Sequence, residues 1–103
     1  MIFYHVSPIP DLTAVVPFKG RVYVTDADNL LHWYGWVRFK HDTPRPVYVY
    51  EVVVPDNARI GEGIDGARLG DYYVETRQPL SVRRQLTPSQ VKRLMKQCRL
   101  RAS

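Results

Sequence analysis

The sequence predicts one small domain of the α+β class, with about five short strands, one internal helix and one C-terminal helix. Three stretches carry that prediction. Val47-Tyr48-Val49-Tyr50-Glu51-Val52-Val53-Val54 is β-branched or aromatic at nearly every position, the pattern of a central strand covered on both faces. Val91, Leu94, Met95 and Cys98 fall at helical spacing after Thr87-Pro88, an N-cap followed by a first-turn proline. Residues 20–35 read as a strand running into a helix. Val22, Tyr23 and Val24 form the strand, Thr25 serves as N-cap with Asp28 three residues on, and Gly35 stops a helix carrying Leu30, Leu31 and Tyr34.

The remaining elements follow in chain order. Met1-Ile2-Phe3-Tyr4-His5-Val6 is a first strand, closed by the turn formers Ser7-Pro8-Ile9-Pro10-Asp11. Residues 12–19 have no clear period and contain Pro17, so they read as loop or a short turn of helix. Trp36-Val37-Arg38-Phe39 extends the strand–helix region, and His41-Asp42-Thr43-Pro44-Arg45-Pro46 breaks it. Residues 57–70 hold four of the six glycines together with Glu62 and Asp65, which predicts a flexible surface loop able to close over a ligand. Asp71-Tyr72-Tyr73-Val74-Glu75-Thr76 returns to strand, and residues 80–86 alternate like another. Tyr23 and Tyr34 stand eleven positions apart, so a helix folded back on its strand would set the two phenols across a slot suited to a flat aromatic guest.

At 103 residues, with 45% hydrophobic and 24% charged residues, the chain is sized and composed for a single globular domain spanning 1–103. No apolar run approaches the roughly 20 residues of a membrane span, and no signal-like start precedes the first strand, so no membrane association and a cytoplasmic location are expected. The single cysteine, Cys98, excludes an internal disulfide and a cysteine-built zinc site, and no metal is expected. The net charge of +5 is uneven, because Arg83, Arg84, Lys92, Arg93, Lys96, Arg99 and Arg101 crowd the last quarter. A basic helix over 88–101 suits an acidic partner or nucleic acid, or is a solvated face that keeps the chain in solution.

The order of these features resembles the ADP-ribosyltransferase fold. Tyr4-His5-Val6-Ser7 closes a first strand, Tyr23-x-Thr25 enters a helix carrying Tyr34, and an acid opens a late strand. The pattern is similar to the histidine–tyrosine–tyrosine–acid class, which includes diphtheria-toxin-like enzymes and poly(ADP-ribose) polymerases. The rifampin ADP-ribosyltransferases look similar at Tyr4-His5, at Val22-Tyr23-Val24-Thr25 and at Thr76-Arg77-Gln78-Pro79. The resemblance runs from Ile2 to Leu86 and implies a small split β-sheet fold with few helices.

The resemblance also implies NAD as substrate, cleavage of the nicotinamide–ribose bond and transfer of ADP-ribose to a protein, nucleic-acid or small-molecule acceptor, as in a compact bacterial toxin or phage-type modifier. NAD would be held by His5, Val6 and Ser7, by Tyr23 and Thr25, and by Tyr34. In that scheme Tyr23 and Tyr34 take the leaving ring, His5 donates a hydrogen bond to a ribose hydroxyl, and a carboxylate stabilises the oxocarbenium-like centre. Asp71, in Gly70-Asp71-Tyr72-Tyr73-Val74, fits the acid best; Glu75 lies on the same strand face, and Glu62 and Asp65 follow as third choices. Val6 stands where the family commonly has glycine, and Asp71 where it has glutamate. Three other functions therefore stay open: NAD hydrolysis to free ADP-ribose, a non-catalytic member that binds a nucleotide or partner, and a basic nucleic-acid-binding domain.

Overall fold

The computed structural model describes residues 2–40 and 43–102. Met1, counted above in the first strand, His41 and Asp42, counted in the break, and the side chain of Arg101 lie outside the described residues. The described residues form an α+β fold of two antiparallel sheets and two α-helices. The strands are β1 (Ile2–Ser7), β2 (Ala14–Val15), β3 (Arg21–Val24), β4 (Tyr48–Val53), β5 (Arg59–Glu62), β6 (Tyr72–Glu75) and β7 (Leu80–Gln85). Helix α1 covers Leu30–Phe39 and α2 covers Pro88–Ala102. One sheet has the order β1-β4-β7-β2 and the other β3-β6-β5.

Strand alternation builds two cores. Phe3, Val15, Val52 and Leu80 of the first sheet meet Val22, Val24 and Val74 of the second, filling the space between the sheets. Tyr4 and Val49, on the opposite face of the first sheet, pack with Leu30 of α1 and with Leu86, Val91 and Cys98 at and beyond the end of β7. The first sheet is thus covered on both faces, and β4 lies inside it between β1 and β7. That double cover is why its sequence is apolar almost throughout. Glu51 interrupts the run and is buried, with Arg84 at 2.8 Å and Arg83 at 4.0 Å supplying opposite charge from β7. Val91, Leu94, Met95 and Cys98 turn inward on α2, and Cys98 is a small core residue.

The cap of α2 is reciprocal. Thr87 Oγ1 accepts from the Gln90 N–H at 3.2 Å, while Gln90 Oε1 accepts from the Thr87 N–H at 2.8 Å. The start of α1 differs from the sequence reading. Thr25 is not its cap: Thr25 is buried and pairs its backbone with Tyr4. Asp26 Oδ1 instead accepts from the Asn29 backbone N–H and side-chain amide, both at 2.9 Å, and the helix begins at Leu30. Gly35 does not stop it either. Trp33 and Trp36 meet edge-on at 5.7 Å across that turn, and Arg45 closes the far end through the Val37 and Arg38 carbonyls. These contacts offset the roughly 1 kcal/mol that an interior glycine costs a helix.

Two stretches read as loop are structured. Val15 is buried, and β2 pairs with β7 through Ala14–Ser81 and Val15–Leu80. Residues 57–70 contain β5 and a short 3-10 turn, Ala67–Leu69, rather than a free flap. No described helix is long and apolar enough to cross a membrane. Leu30 has no exposed surface, so Leu30→Ala should cost about 2–5 kcal/mol by chemical denaturation, and Thr87→Ala about 1 kcal/mol through the lost cap.

Candidate functional site

The two sheets meet edge to edge at one point. Tyr4 on β1 donates its N–H to the Thr25 carbonyl at 2.9 Å, and Thr25, just past β3, returns the bond to the Tyr4 carbonyl at 2.8 Å. One residue on, the strands diverge. His5 spans the gap with its side chain, Nδ1 lying 2.8 Å from the Tyr23 carbonyl. A cleft of about 710 Å³ opens there, bounded by the end of β1, by β3 and β6, by α1 and by the segment following β5. Its volume is in the range of small-molecule sites.

Alternation decides which side chains reach it. Val22, Val24 and Val74 point into the core between the sheets, so Arg21, Tyr23, Asp71 and Tyr73 take the other side and line the cleft. Tyr23 and Tyr73 face each other directly in the β3–β6 register, with ring centroids 6.0 Å apart and tilted by 56°. Across the cleft, α1 contributes Trp33, Trp36 and Val37.

The third strand of this sheet leaves room for these groups. Gly61 lies opposite Tyr73, and a Cβ there would stand 2.3 Å from the phenol ring. At Gly63 a Cβ would stand 2.2 Å from the Asp71 carboxylate. The two glycines are therefore vacancies into which Tyr73 and Asp71 lean. The segment around them is held in place by hydrogen bonds. Gly63 N–H donates to the Asp71 carbonyl at 2.7 Å, Asp65 N–H to Asp71 Oδ2 at 3.0 Å, Ala67 N–H to Glu62 Oε1 at 2.7 Å, and Trp33 Nε1 to the Leu69 carbonyl at 2.6 Å.

The cleft gathers His5, Val6, Tyr23, Thr25 and Asp71, with Glu62 and Asp65 on its border. Three candidates stand elsewhere. Tyr34 packs against the core formed by Tyr4 and Leu30, on a different side of α1 from the tryptophans, so the expected slot between Tyr23 and Tyr34 does not exist. The ring that faces Tyr23 is Tyr73. Ser7 is buried and accepts the Ile9 N–H at 3.1 Å within the turn after β1. Glu75 shares the Tyr73 face of β6 but lies beyond the cleft, 3.7 Å from Arg59.

Sequence reasoning missed Tyr73, Arg21 and the two tryptophans. Asp71 and Tyr73 are two apart on one strand, which was a usable signal, as was a second apolar stripe on α1 at Trp33, Trp36 and Val37.

The hydrogen bond of His5 to the Tyr23 carbonyl fixes its tautomer. A carbonyl only accepts, so Nδ1 carries the proton and Nε2 of the neutral ring is an acceptor. Burial lowers the His5 pKa below the ordinary histidine value, and the bond to Tyr23 opposes that only in part. The neutral ring therefore presents an acceptor rather than a donor at Nε2. The described residues hold no group of three or more histidine, cysteine or acidic side chains arranged for a metal ion. No known protein family, characterised protein or solved structure matches this chain.

Because the folded-state pKa of His5 is lowered, the unfolded chain takes up that proton first as pH falls. His5 should thus contribute stability that is complete above about pH 6.5 and declines as pH drops through its lower folded value. In urea unfolding, the gap between the wild type and His5→Asn should shrink between about pH 7.5 and 5. A gap that stays constant would mean that His5 titrates alike in both states.

Proposed function

We propose that this chain is an NAD-dependent mono-ADP-ribosyltransferase. The observation that carries the reading is the meeting of His5, Tyr23 and Asp71, 66 positions apart from first to last, on one cleft where two antiparallel sheets part. Their order and residue types resemble the histidine–tyrosine–acid pattern, and flat rings line the same space. Tyr73, rather than Tyr34, is the ring that accompanies Tyr23 in this scheme.

The chemistry asks for three things. A cationic pyridinium ring must be held, its ribose must be oriented, and positive charge growing at the anomeric carbon must be stabilised as the bond to nicotinamide breaks. The electron pair of that bond leaves with nicotinamide, which becomes neutral. An acceptor nucleophile then bonds to the anomeric carbon and gives up its proton. Tyr23 offers an aromatic face, and Tyr73, whose ring also carries Arg21, stands beside it at 6.0 Å; an aromatic pair is worth about 0.5–1.5 kcal/mol beyond burial. His5 offers an acceptor for a ribose hydroxyl. Asp71 is only 9% exposed and anchored by the Asp65 N–H, so its carboxylate is pre-positioned. Aspartate is one methylene shorter than the family's usual glutamate, and here the carboxylate leans over Gly63.

The basic helix supports the nucleic-acid reading less well. No described residue of α2 lines the cleft, so its cations would act apart from these groups.

Nicotinamide release from NAD by the purified protein, alone and with cell lysate, tests the proposal. An acceptor should gain the mass of one ADP-ribose. Asp71→Asn should lower release by on the order of 100-fold, and Glu75→Gln should leave it unchanged. Gly61→Ala should keep the fold while pushing the Tyr73 ring aside, and should lower release by about 10-fold or more. Nucleotide binding without release in any lysate would reduce the protein to a binding module.

A further inference from the structure

Arg21 is the one cation bordering the cleft among the described residues, and it stacks on a tyrosine there. Its guanidinium carbon lies 4.0 Å from the centroid of the Tyr73 ring. Tyr23, Tyr73 and Glu75 each favour its charged form, Tyr23 most. The acid opposite Arg21 in the strand register, Glu75, pairs with Arg59 at 3.7 Å and favours the charge on Arg21 from beyond ion-pair distance. No carboxylate among the described residues lies within 4.0 Å of Arg21. A guanidinium stacked on a ring keeps its edge N–H groups available, and their planar fork matches two oxygens of a phosphate.

The opposite pole of the cleft is acidic. Asp71 lies two residues from Tyr73 along the chain, a rise of about 7 Å, with Glu62 and Asp65 beside it. That interval is about the reach of one ribose carrying a 5′ phosphate. A ligand spanning the two poles would present sugar hydroxyls or positive charge to the acids and negative charge to Arg21.

We propose that Arg21, stacked on Tyr73, is the phosphate-recognition residue of this cleft, and that the site selects pyrophosphate-bearing nucleotides over the matching nucleosides. The proposal deepens the transferase reading and takes the full substrate from it, but recognition of the phosphates can be measured without turnover.

The experiment is equilibrium binding of ADP, adenosine and inorganic pyrophosphate to the whole chain, in magnesium-free buffer, for the wild type, Arg21→Gln and Arg21→Lys. The wild type should prefer ADP to adenosine by on the order of 10- to 100-fold, and the preference should shrink as salt is raised. Arg21→Gln should abolish the preference while leaving adenosine binding unchanged. Arg21→Lys should keep only part of it, since an ammonium supplies charge without the fork or the stacked plane. Equal wild-type affinity for ADP and adenosine, absence of ADP binding, or an ADP preference that survives Arg21→Gln would each overturn the proposal.

A second arm compares cleavage of NAD with that of nicotinamide riboside. Arg21→Gln should raise KM for NAD about 10-fold or more relative to any change it makes in KM for the riboside. An Arg21-dependent ADP preference without nicotinamide release supports the phosphate site and removes the transferase reading. Nicotinamide release with NAD kinetics indifferent to Arg21→Gln does the reverse.

Discussion

The reciprocal backbone pair between Tyr4 and Thr25 is the constraint on which the rest of the molecule depends. It ties β1, an edge of one sheet, to the end of β3, an edge of the other. A continuous ladder would have merged the sheets and left no cleft. Among the described residues no other backbone bond joins β1 to β3. One such pair allows the sheets to touch and then diverge, and His5 occupies the first position after divergence. Its ring takes the place a backbone donor would have filled, bonding to the Tyr23 carbonyl. The proton that fixes the joint also decides that Nε2 of the neutral ring accepts.

The wall opposite β1 is shaped by steric absence as much as by side chains. Gly61 and Gly63 present no Cβ to Tyr73 and Asp71, so a phenol and a carboxylate lean across a neighbouring strand. A side chain at either glycine would have driven its neighbour up into the cleft. The same wall carries Arg21 on the Tyr73 ring, which gives the cleft a cationic pole separated from its acids by the length of two residues. Strand alternation generates the pattern, because every second residue of β3 and β6 already serves the core. The glycine-rich segment, bonded to α1 through Trp33 and to Asp71 through Asp65, acts as a fixed rim.

Local patterns transmitted directly into structure wherever one surface had one use. The near-continuous apolar run around Val49 and Val52 could only be a strand covered on both sides, and it lies inside the first sheet. The stripe from Val91 to Cys98 could only be the inner face of a helix, and Thr87 caps it. Patterns with two uses misled. Thr25 has the chemistry of a cap, but its backbone was needed to join the sheets, so Asp26 organises the start of α1 instead. Gly35 has the chemistry of a stop, but the paired tryptophans and the capping by Arg45 carry the helix past it.

Residue order alone determined the α+β class, the inward face of α2, the core role of Cys98 and the short set of side chains worth suspecting. These follow from periodicity and local chemistry, which act over a few residues. Which phenol accompanies Tyr23 was a tertiary decision. Tyr34 and Trp33 are neighbours on α1, yet the rotation of the helix on the first sheet sends one to the core and the other to the cleft. Tyr73 reached Tyr23 through strand pairing across some 50 residues, a register set by the packing of Val22, Val24 and Val74 against the first sheet. The pairing of Glu75 with Arg59 and the seat of Arg21 on Tyr73 were settled in the same way, since the first depends on where β5 aligns with β6 and the second on where β3 does, and no spacing along the chain encodes that.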